Sequence, residues 1–162
     1  MEDVKGRNIV VAVDDSDQSS YALTWCLRNI VAKHGSGSQD TIVLLYARHI
    51  PSNSTTGDST GYLFSSDVID TMDQQTSKIA QNVADKAKRI CKDYDDHIKV
   101  EMLVENGDPR DVICEAAEKL KADLLVIGSH GYGVIKRALL GSVSSHCAQN
   151  VKCPVLIVKK PN

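Results

Sequence analysis

Five short runs of aliphatic residues, separated by four longer stretches with helical spacing, leave this 162-residue chain little choice of fold. The first run, Asn8-Ile-Val-Val-Ala-Val13, is continuously apolar and β-branched, which is what a parallel strand covered on both faces requires. The others occupy 41–47, 99–104, 123–128 and 154–159, with Pro154 at a strand start, where its missing N–H does least harm. Between them, Ala22, Leu23, Cys26, Leu27, Ile30 and Val31 mark a helix over about 18–34. Val68, Ile69, Met72, Ile79, Val83, Ala87 and Ile90 mark a second over 67–93. Val112, Ile113, Ala116, Ala117 and Leu120 line a third that begins at Gly107-Asp108-Pro109, and a short fourth covers 141–149. The order βαβαβαβαβ predicts an α/β fold: an open five-stranded, mainly parallel sheet with helices on both faces and right-handed crossovers. The length fits one domain over 1–162, burying roughly two-thirds of its unfolded surface, with a polar, turn-rich loop at about 50–66.

The chemistry is concentrated after the fourth strand. Ala122-Asp-Leu-Leu-Val-Ile127 runs into Gly128-Ser-His-Gly131, nine further residues and then Gly141-Ser142. Ligands of open α/β sheets sit beyond the carboxyl ends of the strands. Glycines let a backbone approach closely, and the unpaired N–H groups and dipole of a helix opening at Gly141-Ser142 favour an anion there. Two better-known phosphate loops fail. A Walker A loop needs Lys and Ser or Thr after its second glycine, but Val134-Ile135 follow Gly133; the dinucleotide fingerprint needs glycines after the first strand, where Asp14-Asp15-Ser16-Asp17 stand. Against a phosphate site stands the plainer alternative that Gly128, Gly131 and Gly141 are ordinary turn glycines. Asp14 has two roles open to it: N-cap of the first helix, or ligand for ribose hydroxyls or for water on Mg²⁺. Asp15, Ser16 and Asp17 fit capping better. His130 has no nucleophile beside it in the pattern and reads as a loop histidine; Lys136 and Arg137 are either solvated cations or reach a terminal phosphate.

Gly128-x2-Gly131-x9-Gly141-Ser142, strand-end Asp14 and the closing Cys153-Pro-Val-Leu-Ile-Val158 resemble the universal stress protein family over nearly the whole chain. The glycine pattern is that of its ATP-binding branch, and Gly107-Asp-Pro-Arg110 and 136–144 are similar to small plant members. The resemblance implies a Rossmann-like, adenine nucleotide alpha hydrolase-like sheet in the order 3-2-1-4-5, bringing Asp14 and Gly128 to one crevice. It implies that Gly131, Gly141, Ser142 and Val143 contact phosphates, that Gly128 lies against the ribose and that Ala47 meets adenine through its main chain. ATP, or ADP or AMP, with Mg²⁺ is the implied ligand set. Strand five, Val155–Val158, would then be a sheet edge and the joint of a homodimer. No base or water-positioning group is evident, so the expected function is nucleotide-dependent regulation with little or no turnover and no catalytic residues. A slow Mg-dependent ATPase or phosphotransferase and a nucleotide-independent chaperone or interaction module remain as alternatives.

A net charge of −2 with both signs spread along the chain offers no basic stripe for nucleic acid. No apolar run approaches membrane-spanning length, and the charged N-terminus is unlike a signal peptide. These features lead us to expect a cytoplasmic or nuclear protein. Five cysteines without a CxxC pair or His/Cys metal spacing argue against structural zinc; Cys26, Cys91 and Cys114 fall on helical apolar faces as small hydrophobes. The Ser/Thr cluster at 52–60 is either a phosphorylation region or turn-forming loop.

Overall fold

A computed structural model describes residues 5–31, 39–50, 66–130 and 140–161. Its strands are β1 (Asn8–Ala12), β2 (Thr41–Arg48), β3 (Lys99–Asn106), β4 (Leu124–Gly128) and β5 (Val155–Val158). Its helices are α1 (Asp17–Cys26), α2 (Ser66–Tyr94), α3 (Pro109–Lys119) and α4 (Ser142–Asn150). Every strand pair is parallel, and the order is β3-β2-β1-β4-β5. The expected α/β sheet is therefore present, with β1 at its centre.

Alternate residues of the inner strands serve opposite faces, and both faces are covered. Ile9 and Val11 of β1, Leu44 of β2 and Val126 of β4 pack with Leu23 of α1 and Val83, Ala87 and Cys91 of α2. Val10 and Ala12, with Val43, Leu45, Leu125 and Ile127, pack instead with Ile113 and Ala116 of α3 and Cys147 of α4. This two-sided burial explains the uninterrupted apolar runs. Each fully buried Val, Leu or Ile contributes about 1.5–3 kcal/mol of transfer free energy.

One helix differs from expectation. The helix expected over 18–34 is α-helical only to Cys26 and continues as a π-helical turn at Leu27–Val31. The helix expected over 67–93 is present as α2. Its apolar stripe is buried in the C-terminal half, at Ala80, Val83, Ala84, Ala87 and Cys91. In the N-terminal half Val68, Ile69 and Ile79 are exposed. Arg48, at the end of β2, reaches Ser77 and ion-pairs with Asp73 to tether this part of α2. The expected loop at about 50–66, its Ser/Thr cluster, Gly131, Lys136 and Arg137 lie outside the described residues, apart from Ile50 at the loop's start and Ser66 at the start of α2.

Candidate functional site

β1 connects outward toward β2 on one side, while β4 continues the sheet on the other, so their carboxyl ends part company at the switch in strand order. A cleft of about 680 Å³ opens there. Asp14, Ala47, Gly128, Gly141, Ser142 and Val143 all line it. Six positions singled out in the sequence, from four separate segments, thus meet in one place; the seventh, Gly131, is not described.

One end of the cleft is the start of α4. Gly141 occupies the N-cap in extended conformation (φ −69°, ψ 163°) and no side chain caps the helix. The first-turn N–H groups of Ser142, Val143 and Ser144 have no partner within an α-helix, which makes this end an anion site in waiting. Ser144 turns its hydroxyl the other way, donating to the carbonyls of Ser129 (2.9 Å) and Gly141 (3.1 Å). The Gly141 N–H donates to the same Ser129 carbonyl at 2.7 Å, clamping the helix start to the end of β4. The approach is close: a Cβ on Gly141 would sit 3.1 Å from that oxygen and 3.4 Å from His130 Cα. A Cβ on Gly128 would lie 3.2 Å from the Gln18 carbonyl, so glycine there lets α1 pack against β4.

Asp14 is not the N-cap of α1. That role belongs to Ser16, whose hydroxyl accepts the Ser19 N–H at 3.1 Å. Asp14 instead braces the cap: its Oδ1 accepts the Ser16 N–H at 2.8 Å and the Ser16 hydroxyl, while its own N–H donates to Ser19 Oγ at 2.9 Å. Its second oxygen makes no hydrogen bond among the described residues.

Ala47 presents main chain. The Val13 N–H donates to the Leu45 carbonyl at 2.9 Å, the last bond between the β1 segment and β2. Ala47 shares the parity of Leu45, so its N–H and carbonyl face the side that β1 has left. Around it the wall is apolar: Ile113 and Ile127 are buried and Pro109 stands at the start of α3. Burial first, then the charges of Asp14 and Asp15, push the neighbouring Tyr46 phenol up, keeping it neutral. Asp108 caps α3, and its hydrogen bonds from Arg110 hold the carboxyl down at about 2.

The sequence did not single out His49, Pro109, Ile113 and Ser144 as part of this cleft. Pro109 and Ile113 carried a signal, since positions four apart on one helix share a face; Ser144, next but one to the chosen Ser142, carried none. His130 lies at the rim with its Nδ1 3.0 Å from Ser129 Oγ. Among the described residues no three His, Cys, Asp or Glu side chains converge to hold a metal, and no helix is long and apolar enough to cross a membrane.

The model of the universal stress protein family matches residues 6–159. The universal stress protein YxiE of Bacillus subtilis is 30% identical over 154 residues, 94% of this chain and 99% of its own. Universal stress protein MJ0531 of Methanocaldococcus jannaschii is 44% identical over 81 residues, which is 50% of this chain and 46% of its own length. Among solved structures, a universal stress protein family protein of Arabidopsis thaliana with AMP bound superposes with a TM-score of 0.67 at 23% identity, covering 96% of this chain and 92% of that one. A universal stress protein in complex with cAMP superposes with a TM-score of 0.65 at 26% identity, covering 94% and 96%.

Proposed function

The chain belongs to the universal stress protein family, and from that premise we propose that it is an adenine-nucleotide-binding regulatory protein of the family's ATP-binding, plant-type branch. The observation that carries this is the meeting of Asp14, Ala47, Gly128, Gly141, Ser142 and Val143 in one cleft at the strand-order switch. The AMP and cAMP complexes of the two structural relatives support the ligand class.

Phosphates sit at the start of α4, where the N–H groups of Ser142 and Val143, the Ser142 hydroxyl and the helix dipole favour negative charge. Gly141 lets the start of α4 sit close against the end of β4 beside that space. Adenine lies against Ile113 and Pro109 and takes its hydrogen bonds from the main chain of Ala47. The free oxygen of Asp14 accepts from ribose hydroxyls, with Gly128 beneath the sugar; bound Mg²⁺ would offset phosphate charge, with Asp14 holding one of its waters. Ligand occupancy changes the surface offered to protein partners, with little or no hydrolysis.

Calorimetric titration with Mg·ATP, ADP and AMP tests the binding, and mass spectrometry of small molecules released from the native protein identifies the occupant. Gly141→Val should lower affinity at least a hundredfold while the circular dichroism spectrum keeps its shape, because a Cβ at 141 would meet the Ser129 carbonyl at 3.1 Å and push the start of α4 away from the position where it meets the phosphates. A folded Gly141→Val protein with unaltered ATP affinity would sink the assignment. Steady-state phosphate release above about one per second, lost in Asp14→Ala, would favour the ATPase alternative.

A further inference from the structure

The sequence pattern gives His130 no nucleophile, and the fold supplies one from the residue before it. Ser129 Oγ and His130 Nδ1 stand 3.0 Å apart, and both residues line the cleft. Consecutive side chains of a strand point to opposite faces. These two meet because β4 ends at Gly128 and the chain bends at Ser129.

The rest of Ser129 is fixed. Its N–H donates to the Val158 carbonyl at 3.0 Å, and its carbonyl accepts from the Gly141 N–H at 2.7 Å and from Ser144 Oγ at 2.9 Å. The residue is only 4% exposed, so its hydroxyl is held in the cleft wall and not spread through solvent. The same bonds seat the pair beside the start of α4: Gly141 is bonded to Ser129, and the N–H groups of Ser142 and Val143 follow directly. Ser144 spends its own hydroxyl on the Ser129 and Gly141 carbonyls, which take no proton from it.

We infer that Ser129 is a nucleophile, with His130 as its general base, and that it takes the terminal phosphoryl group of a nucleoside triphosphate held in the cleft. The phosphoryl donor rests on the nucleotide-binding reading; the activation of the serine does not. With the ring proton on Nε2, Ser129 Oγ donates to His130 Nδ1, at a distance within the range of about 2.6–3.2 Å that proton transfer needs. The Oγ attacks the terminal phosphorus and Nδ1 takes the hydroxyl proton. The bond from that phosphorus to its bridging oxygen breaks, and the oxygen leaves with the electron pair on the nucleoside diphosphate. Phosphoserine at 129, the diphosphate and a protonated His130 result. The N–H groups at the start of α4 supply donors for the charge on the transferring group. Each chain accepts one phosphoryl group, so the reaction needs no steady hydrolysis.

The test incubates the full chain with Mg·ATP, digests it with trypsin and locates the modification by fragment-ion mass spectrometry. Peptide 122–136, in which Ser129 is the only serine, should carry one phosphoryl group on Ser129. Ser129→Ala should abolish it. His130→Gln, which keeps a hydrogen-bonding side chain but takes no proton, should slow it at least a hundredfold, with circular dichroism spectra of both variants like that of the wild type. A fluorophosphonate, which labels activated serines without any nucleotide, should modify Ser129 and leave Ser142 and Ser144 of peptide 138–152 unlabelled, and His130→Gln should suppress the label. Phosphate on another residue, an adenylyl in place of a phosphoryl group, an unlabelled Ser129, or equal rates in the wild type and His130→Gln overturns the inference. If the protein binds no adenine nucleotide, the proposed function fails and the phosphoryl donor with it, while fluorophosphonate labelling of Ser129 and its dependence on His130 still decide the nucleophile.

Discussion

Under the proposed function Asp14 has two tasks and one carboxylate. Its Oδ1 is committed to Ser16, the cap of α1, so a ligand has only the other oxygen. This division explains why the sequence admitted both a capping and a ligand role: the residue type suits each, and the fold shows one oxygen bracing the cap while the other makes no hydrogen bond among the described residues. It also fixes what a substitution does. Asp14→Ala removes a brace from the helix cap, costing about 1 kcal/mol of stability, and a charged acceptor for ribose, worth about tenfold or more in affinity. The two effects separate with 2′,3′-dideoxy-ATP, which lacks the hydroxyls. The wild-type chain should lose about as much affinity on changing to this analogue as on changing Asp14 to Ala, and the variant should lose nothing further. Additive losses would place the ribose elsewhere. Other site residues were less visible. Glycines, strand-end acids and helix-start serines announce themselves because few environments suit them, whereas Ile113 is a core residue by every local criterion and becomes cleft wall only because β1 ends at Ala12.

At the scale of elements, periodicity reported the extent of α2 closely but not how much of its apolar face is covered. Residues 68, 69, 72, 76 and 79 fall on the same helical stripe as 83, 87 and 90, so the pattern in α2 continues without a break. Yet 29 residues of helix span about 43 Å, while the eight residues of β2 span about 26 Å, and nothing in the helix's own sequence states how far the surface beneath it extends. The two halves of one stripe should therefore differ in energetic weight. Val83→Ala, at a site 1% exposed, should cost about 2 kcal/mol in urea denaturation. Ile69→Ser, at a site 40% exposed, should cost under about 0.5 kcal/mol. Equal losses at the two sites would mean that the N-terminal half of α2 is covered in solution.

For the whole molecule, the sequence pattern predicts a parallel sheet but leaves its strand order undetermined, because each crossover helix can return its strand to either side. The order came from family resemblance, and it decides which strands are edges. Two exist, and they are unlike. β3 alternates Lys99, Glu101 and Glu105 with its apolar residues, a charged pattern that discourages pairing. β5, Val155-Leu-Ile-Val158, has no charge at all. A homodimer should therefore join through β5. The ladder shows how to test this without harming the subunit. β4 donates from Leu125 N–H to the Pro154 carbonyl and is followed by Ser129 N–H to the Val158 carbonyl, both at even positions of the β5 segment. In a parallel pair alternate residues bond to the same neighbour, so Val155 and Ile157 direct their N–H and carbonyl groups outward. Ile157→Pro removes an outward donor and leaves the bonds to β4 intact. Light scattering at high micromolar concentration should give twice the chain mass for the wild type and the chain mass for Ile157→Pro, with the two circular dichroism spectra alike. A wild-type monomer under those conditions, or an Ile157→Pro variant that remains dimeric, would rule out β5 as the joint.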